Sequence, residues 1–218
     1  MGNYNISVIL PCVTDEDKLV CWMNNVFSQD AEVEVLICER IDSEKLGSLE
    51  ESALARVKVF PSQDKGNAVK KAISDAEGDY ILFSDVGISY SSDAFAAMLA
   101  RGACTFNGSG VVGNLFSADY CFDEIASKNG YFCCMMNTET VQKNQILPVS
   151  GTSFSLMNMI ADYARYDDIK TIHETLFNIS SVPAASADAD DIASLESYSW
   201  LFSQTASDKV TLFYIRNV

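Results

Sequence analysis

The chain has 218 residues, 48% of them hydrophobic and 21% charged, which suits one globular domain whose core needs neither disulfides nor metal. Its 15 basic residues face 30 acidic ones, a formal net charge of -15 at pH 7. A field of that sign repels phosphate backbones and anionic lipid, so nucleic acid is excluded as a broad partner. A phosphate-bearing ligand would have to be held locally, by backbone N–H groups, a few cations or a metal.

Ile6 to Leu10 is a continuous, mostly β-branched run stopped by Pro11, the pattern of a buried strand. Thr14 then offers an N-cap, with Asp17 three residues on as a variant of the capping box. Leu19, Trp22, Met23, Val26 and Phe27 follow at i, i+3, i+4, i+7 and i+8, one face of an amphipathic helix. Val33 to Cys38 predicts a second strand, and Val57 to Phe60, closed by Pro61, a third. Val69, Ala72, Ile73 and Ala76 mark a second helix, with Gly78 as its C′ stop. Tyr80 to Ser84 predicts a fourth strand, and Phe95, Met98 and Leu99 a helix after it. This alternation predicts an α/β fold, a mainly parallel twisted sheet with helices on both faces.

The second half is less regular. Residues 101–118, rich in Gly, Asn and Ser, predict loop with a short strand near Val111-Val112. Tyr131 to Met136 reads as a strand, Met157, Ile160, Ala161 and Ala164 as a helix, and Ile169 to Ile172 as a short strand. Residues 183–192 read as an acidic loop or helix start, and Val210 to Ile215 as a final strand. No repeat or compositional break divides the chain, so residues 1–218 read as a single domain.

Seven cysteines, an odd number without framework spacing, predict reduced, mostly buried thiols in a cytoplasmic compartment. No Cys-x-x-Cys pair or Cys/His cluster has zinc-ligand spacing. The first residues lack a basic signal-peptide region, and no apolar run approaches the ~18 residues of a transmembrane segment.

Ligands of parallel sheets bind outside the carboxyl ends of the strands. That rule singles out Pro11 to Asp15, Glu39 to Asp42, Ser62 to Asn67 and Asp85 to Ser89. Freed backbone groups at 11–15, with Thr14 and Asp15, suit a flat heterocycle. A carboxylate such as Glu39 can accept a uracil ring N–H or a ribose hydroxyl. Asp64-Lys65-Gly66-Asn67 opens a helix, where backbone N–H groups and Lys65, Lys70 and Lys71 favour an anion. Taken singly, these features read better as an ordinary cap, a solvated strand end and a lysine-decorated helix face. Their convergence at four strand ends points to a nucleotide site. His173, the only histidine, reads as partly buried on or just beyond the 169–172 strand. Tyr198, Trp200 and Phe202 suit stacking on a sugar acceptor or, as the plainer reading, packing a C-terminal helix.

Ile6-Ser7-Val8-Ile9-Leu10-Pro11 with Thr14-Asp15-Glu16, then Leu19 and Gln29, resembles the opening V-S-V-I-I-P-x-Y-N-E-E of inverting family 2 glycosyltransferases of GT-A fold. Val35-Leu36-Ile37-Cys38-Glu39 is similar to their second strand, which ends in an acid that reads the base. Lys65-Gly66-Asn67-Ala68-Val69-Lys70 resembles their K-G-x-A-V-R element, and Gly78 to Asp85 resembles G-D-Y-I-L-F-x-D, the strand leading into Asp-x-Asp. The resemblance covers roughly residues 5–100, in register.

It implies a nucleotide-sugar donor site at Pro11, Val13, Asp15, Glu39, Lys65, Gly66, Asn67 and Asp85. On that resemblance Pro11 and Val13 flank the base and Glu39 contacts it. Lys65, Gly66 and Asn67 lie near ribose or phosphates, and Asp85 contacts the ribose or a Mg²⁺ or Mn²⁺ ion on the diphosphate. A divalent ion there neutralises the charge developing on the leaving nucleoside diphosphate. The implied activity is sugar transfer from a UDP- or GDP-sugar to an unknown glycan, lipid or protein acceptor. Residues 1–100 would form the donor half and 101–218 the acceptor half.

Several positions depart from the family pattern. Thr14 stands for Asn, Asp15 for Glu, and Arg40 for a second acid. Gly87 stands for the second Asp of Asp-x-Asp, commonly the direct metal ligand. Gly151 to Leu156, where the family places a general base, holds no acid. Asp119, Asp123 and Asp162 are candidates for the base by position only, so it is unassigned. These departures favour, as the alternative, a non-catalytic GT-A-like nucleotide-binding or scaffold domain. A nucleotidyltransferase is disfavoured, because Pro11-Cys12-Val13 stands where its Gly-rich, Arg- or Lys-bearing loop would follow the first strand.

Overall fold

The computed structural model describes residues 4–110, 113–114, 131–180, 202–207 and 210–215. Strand β1 (Tyr4–Leu10) is buried from Ile6 onward. Helix α1 (Glu16–Phe27) buries Leu19, Trp22, Met23 and Val26, the apolar stripe of its sequence. Its cap is Asp15, whose side chain accepts the Asp17 N–H. Thr14 is not the cap, because the loop before the helix runs one residue longer, with the Val13 N–H held by Glu39 at 2.8 Å.

Strand β2 (Val33–Ile37) is buried throughout. Short helices α2 (Ser43–Leu46) and α3 (Glu51–Leu54) lead to β3 (Val57–Val59). Helix α4 (Lys65–Ser74) precedes β4 (Gly78–Phe83). Gly78 therefore opens a strand and does not stop a helix. Asp75 caps α4, and a Cβ at Gly78 would lie 2.5 Å from the Ser7 nitrogen on β1. After β5 (Ile88–Tyr90) and α5 (Ala94–Arg101) come β6 (Cys104–Gly110) and β7 (Gly113–Asn114). A 3₁₀ turn at Tyr131–Cys133 leads into β8 (Cys134–Asn137), so only the second part of the expected 131–136 strand is extended. Helices α6 (Thr138–Lys143) and α7 (Ser153–Tyr163) precede β9 (Lys170–Ile179). Strands β10 (Phe202–Ser207) and β11 (Val210–Ile215) pair antiparallel as a separate hairpin. Phe202 thus starts a strand where a C-terminal helix was the plainer expectation.

Among the described residues the main sheet has nine strands, in the order β3-β2-β1-β4-β8-β6-β9-β5, with β7 on β6. The four strands β3, β2, β1 and β4 are parallel. Beyond β4 the sheet is mixed. Strand β8 runs antiparallel to both β4 and β6, whereas β6 and β9 are parallel. The chain steps outward from β1 to β3, then returns past β1 to β4. Right-handed crossovers in opposite directions place α1 and α4 on opposite faces.

Within the stretch expected as loop, residues 104–110 form strand β6, where Gly108 fits a neighbour. A Cβ at Gly108 would lie 2.1 Å from the Phe177 ring. That ring packs edge-on against Tyr90, Phe106 and Phe132. Strand β9 is longer than the 169–172 run because its alternation is broken where the β6 register jumps from Phe106↔Ile172 to Asn107↔Thr175. His173 sits in that jump and is exposed, not partly buried. Val111-Val112, Asp119, Asp123, residues 183–192, Tyr198 and Trp200 lie outside the described residues.

Candidate functional site

Strand β1 lies between β2 and β4, so the order of connection reverses beside it. Ligands of open α/β sheets bind at such a switch, outside the carboxyl ends. There a cavity of about 590 Å³ opens between Pro11-Cys12, the first turn of α4, Tyr131, and residues 150–153, which lead into α7.

The post-strand segments are tied to one another at this end. Glu39 Oε2 accepts the Val13 N–H at 2.8 Å, locking the loop after β1 to the end of β2. Asp15 is occupied by the helix it caps, with Lys18 Nζ 3.3 Å from its other oxygen. Asp64 caps α4: one oxygen accepts the Asn67 N–H at 3.1 Å and the other its amide at 2.7 Å. Asn67 is thereby turned to the cap. Lys65 and Gly66 line the cavity, and no ion pair engages Lys65 among the described residues. Gly66 and Gly151 allow the loop to lie on the helix start. A Cβ on Gly151 would come 2.3 Å from Lys65 Cβ, and one on Gly66 would come 3.0 Å from Ser150 Cα.

Ser84 extends the β1–β4 pairing by donating its N–H to Ile9 O at 2.9 Å, and Asp85 follows. Asp85 is 2% exposed. Its Oδ1 accepts the Gly87 N–H at 2.7 Å, while its Oδ2 is buried with no hydrogen-bond partner. Burial pushes this carboxyl above the usual carboxylate range, offset in part by the Gly87 N–H and the Lys18 charge. Gly87 is committed through its backbone, since its carbonyl accepts both the N–H and the hydroxyl of Ser180.

Cys12 reports how these groups converge. Burial raises its thiol pKa, the charges of Asp85 and Glu39 raise it further, and Lys65 lowers it. Tyr131, 3% exposed and lining the cavity, was not singled out by sequence. Burial, then Cys12 and Asp85, hold its phenol well above the usual tyrosine range, so it is a protonated donor. Its sequence context reads as core. Only the antiparallel pairing of β8 with β4, Leu82 opposite Met135, carries the start of that run to the Asp85 end.

No protein-family model matches the chain. Protein RfbJ of Shigella flexneri is 24% identical over 97 residues, 44% of this chain and 75% of that protein. The S. aureus TarS 1-349 structure in complex with UDP-GlcNAc superposes with a TM-score of 0.61 at 16% identity, over 83% of this chain and 59% of that one. Glucosyl-3-phosphoglycerate synthase from Mycobacterium tuberculosis, in complex with Mg²⁺ and uridine-diphosphate, superposes with a TM-score of 0.52 at 16% identity, over 98% of this chain and 88% of that one. The fold is that of the GT-A glycosyltransferases. The chain spans less than two thirds of the TarS structure it matches.

In this GT-A frame the donor set for a metal is thin. Among the described residues no three His, Cys, Asp or Glu side chains group closely enough to hold an ion. Asp85 does not itself line the cavity, but its charge acts on Cys12 and Tyr131, which do; its Oδ2, without a partner among the described residues, fits a hard cation whose remaining ligands are phosphate and water oxygens. On the other wall, Thr152 caps α7 by accepting the Ser155 N–H at 3.2 Å. Asp162 faces Arg165 at 3.4 Å and does not line the cavity. Asp64, which does, has both oxygens on Asn67. No described helix is long and apolar enough to cross a membrane.

Proposed function

We propose that the chain is a GT-A glycosyltransferase that moves a sugar from a UDP-sugar, or a GDP-sugar, to an acceptor hydroxyl. The reading rests on one observation: a buried carboxylate with an unpartnered oxygen behind the switch-point cavity, whose charge is felt by Cys12 and Tyr131 of the cavity wall. The Val13–Glu39 junction would seat the base, with Pro11 against one side of it. The first turn of α4 and Lys65 would hold the diphosphate, by backbone N–H groups and one cation. Asp85 would meet the ribose or a Mg²⁺ or Mn²⁺ ion on the diphosphate. Such an ion, when bound, neutralises the charge on the leaving group. Tyr131 would donate a hydrogen bond into the same space. Residues 1–100 serve as donor half and 101–218 as acceptor half. The six described cysteines, all free, suit a reducing cytoplasm.

A second reading has its own support. Gly87 leaves the metal with one protein ligand among the described residues, and residues 151–156 offer no acid to take the acceptor proton. Both favour a nucleotide-binding scaffold without turnover. UDP with Mn²⁺ should raise the melting temperature, and Asp85→Ala should remove most of the rise. No rise with any nucleoside diphosphate would overturn the donor site. Turnover across a panel of UDP- and GDP-sugars separates enzyme from scaffold.

A further inference from the structure

Asp85 keeps a buried oxygen without a partner, an arrangement that costs free energy and persists only where its surroundings fix it. Those surroundings begin on α1, away from the cleft. The Asn25 amide grips both backbone groups of Tyr90: Nδ2 donates to the Tyr90 carbonyl at 3.0 Å, and Oδ1 accepts the Tyr90 N–H at 2.7 Å. Among the described residues strand β5 pairs only with β9, and this amide bonds the backbone at its other edge. Gln29, just past the end of α1, braces it by donating to the Asn25 carbonyl at 3.3 Å. Tyr90 then crosses the core, 3% exposed, with its ring edge-on to Phe95 at 4.9 Å. Its hydroxyl meets Ser84 Oγ at 2.8 Å, and Ser84 precedes Asp85 in the chain.

We propose that Tyr90 and Asn25 are positioning residues that aim the Asp85 carboxylate at its ligand through Ser84. The Ser84–Tyr90 bond closes the loop 84–90 at its base, and within it the Ile88 N–H reaches the Asp85 carbonyl at 3.0 Å. The closed loop holds Oδ1 on Gly87 and leaves Oδ2 for the metal on a nucleoside diphosphate. This role rests on the donor-site reading of Asp85 given above.

The test measures the metal increment, the ratio of UDP affinity with Mn²⁺ to that in EDTA, by calorimetric titration well below each variant's melting temperature. Tyr90→Phe keeps the ring and its packing, and Ser84→Ala removes the partner hydroxyl. Each should cut the increment about tenfold, with UDP binding in EDTA unchanged. The double variant should lose no more than either single, because one path is broken. A merely structural bond would lower the melting temperature and leave the increment alone. A wild-type increment in both single variants, beside its loss in Asp85→Asn, overturns the positioning role, as does an additive double variant. No increment in the wild type, or a full one in Asp85→Asn, overturns the donor reading of Asp85 and the positioning role with it.

Discussion

The parallel strands carry a buried carboxylate at each end, and the two are treated in opposite ways. At the amino end Glu34, fully buried on β2, has Ser7 as its register partner on β1. Its Oε1 accepts the Ser7 hydroxyl and the Glu77 N–H, both at 2.6 Å; its Oε2 has no hydrogen bond, as Asp85 Oδ2 has none, but is neutralised by Lys58 Nζ at ion-pair distance, 3.0 Å. The Ser7 hydroxyl in turn accepts the Gly78 N–H at 2.9 Å. One carboxylate therefore ties β1, β2, β3 and the start of β4 together. At the carboxyl end Asp85 has a single N–H and an idle oxygen. Burial alone does not separate a structural acid from a functional one. The tally of partners does, since a buried charge left short of partners is tolerated where a ligand completes it.

The largest effect should come from breaking the satisfied end. Glu34→Ala would strand the Ser7 hydroxyl, the Glu77 N–H and Lys58 together. Removing one member of a buried charged network costs about 3 kcal/mol. Urea unfolding should show that loss, and UDP affinity of the variant that remains folded should match wild type. Weakened UDP binding without lost stability would show that the two ends are not separable in this way.

That division was only half legible in the sequence. Buried parallel strands are continuous apolar runs between Pro and Gly, so β1, β2 and β4 were readable locally. The strand-end rule then placed Pro11, Val13, Glu39, Lys65, Gly66 and Asp85 at one end without knowledge of packing. What escaped depends on long-range fit. Gly108 looked like a loop residue because nothing local shows that Phe177 fills its missing side chain. Tyr131 looked like core because its place depends on β8 turning antiparallel. Asp15 and Asn67 carried site-like positions, yet each is engaged in a helix cap, by its own side chain in Asp15 and by Asp64 in Asn67. Glu34 and Ser7 stood inside apolar runs, and only the register reveals that they face each other.

A smaller effect is expected where the cleft wall meets the helix start. Gly151→Ala would push a methyl group to within 2.3 Å of Lys65 Cβ, so loop 149–152 must lift from α4. Overpacking of this kind costs about 1–2 kcal/mol. Here stability and UDP affinity should fall together, since Lys65 and Gly66 belong to both the contact and the proposed diphosphate site. Gly78→Ala, which clashes with β1 at the amino end, is the control: it should lower stability and spare affinity.

The smallest effect has the opposite sign. Asp85→Asn removes a buried charge that has one partner for two oxygens, so the nucleotide-free protein should gain stability, on the order of 1 kcal/mol. The same change should abolish the gain in melting temperature from UDP with Mn²⁺. Stability up and ligand response lost, in one substitution, is the signature of an acid kept for a ligand and not for the fold. If Asp85→Asn instead destabilises the free protein as Glu34→Ala does, Asp85 belongs with Glu34 among the structural acids, and the contrast between the two sheet ends collapses.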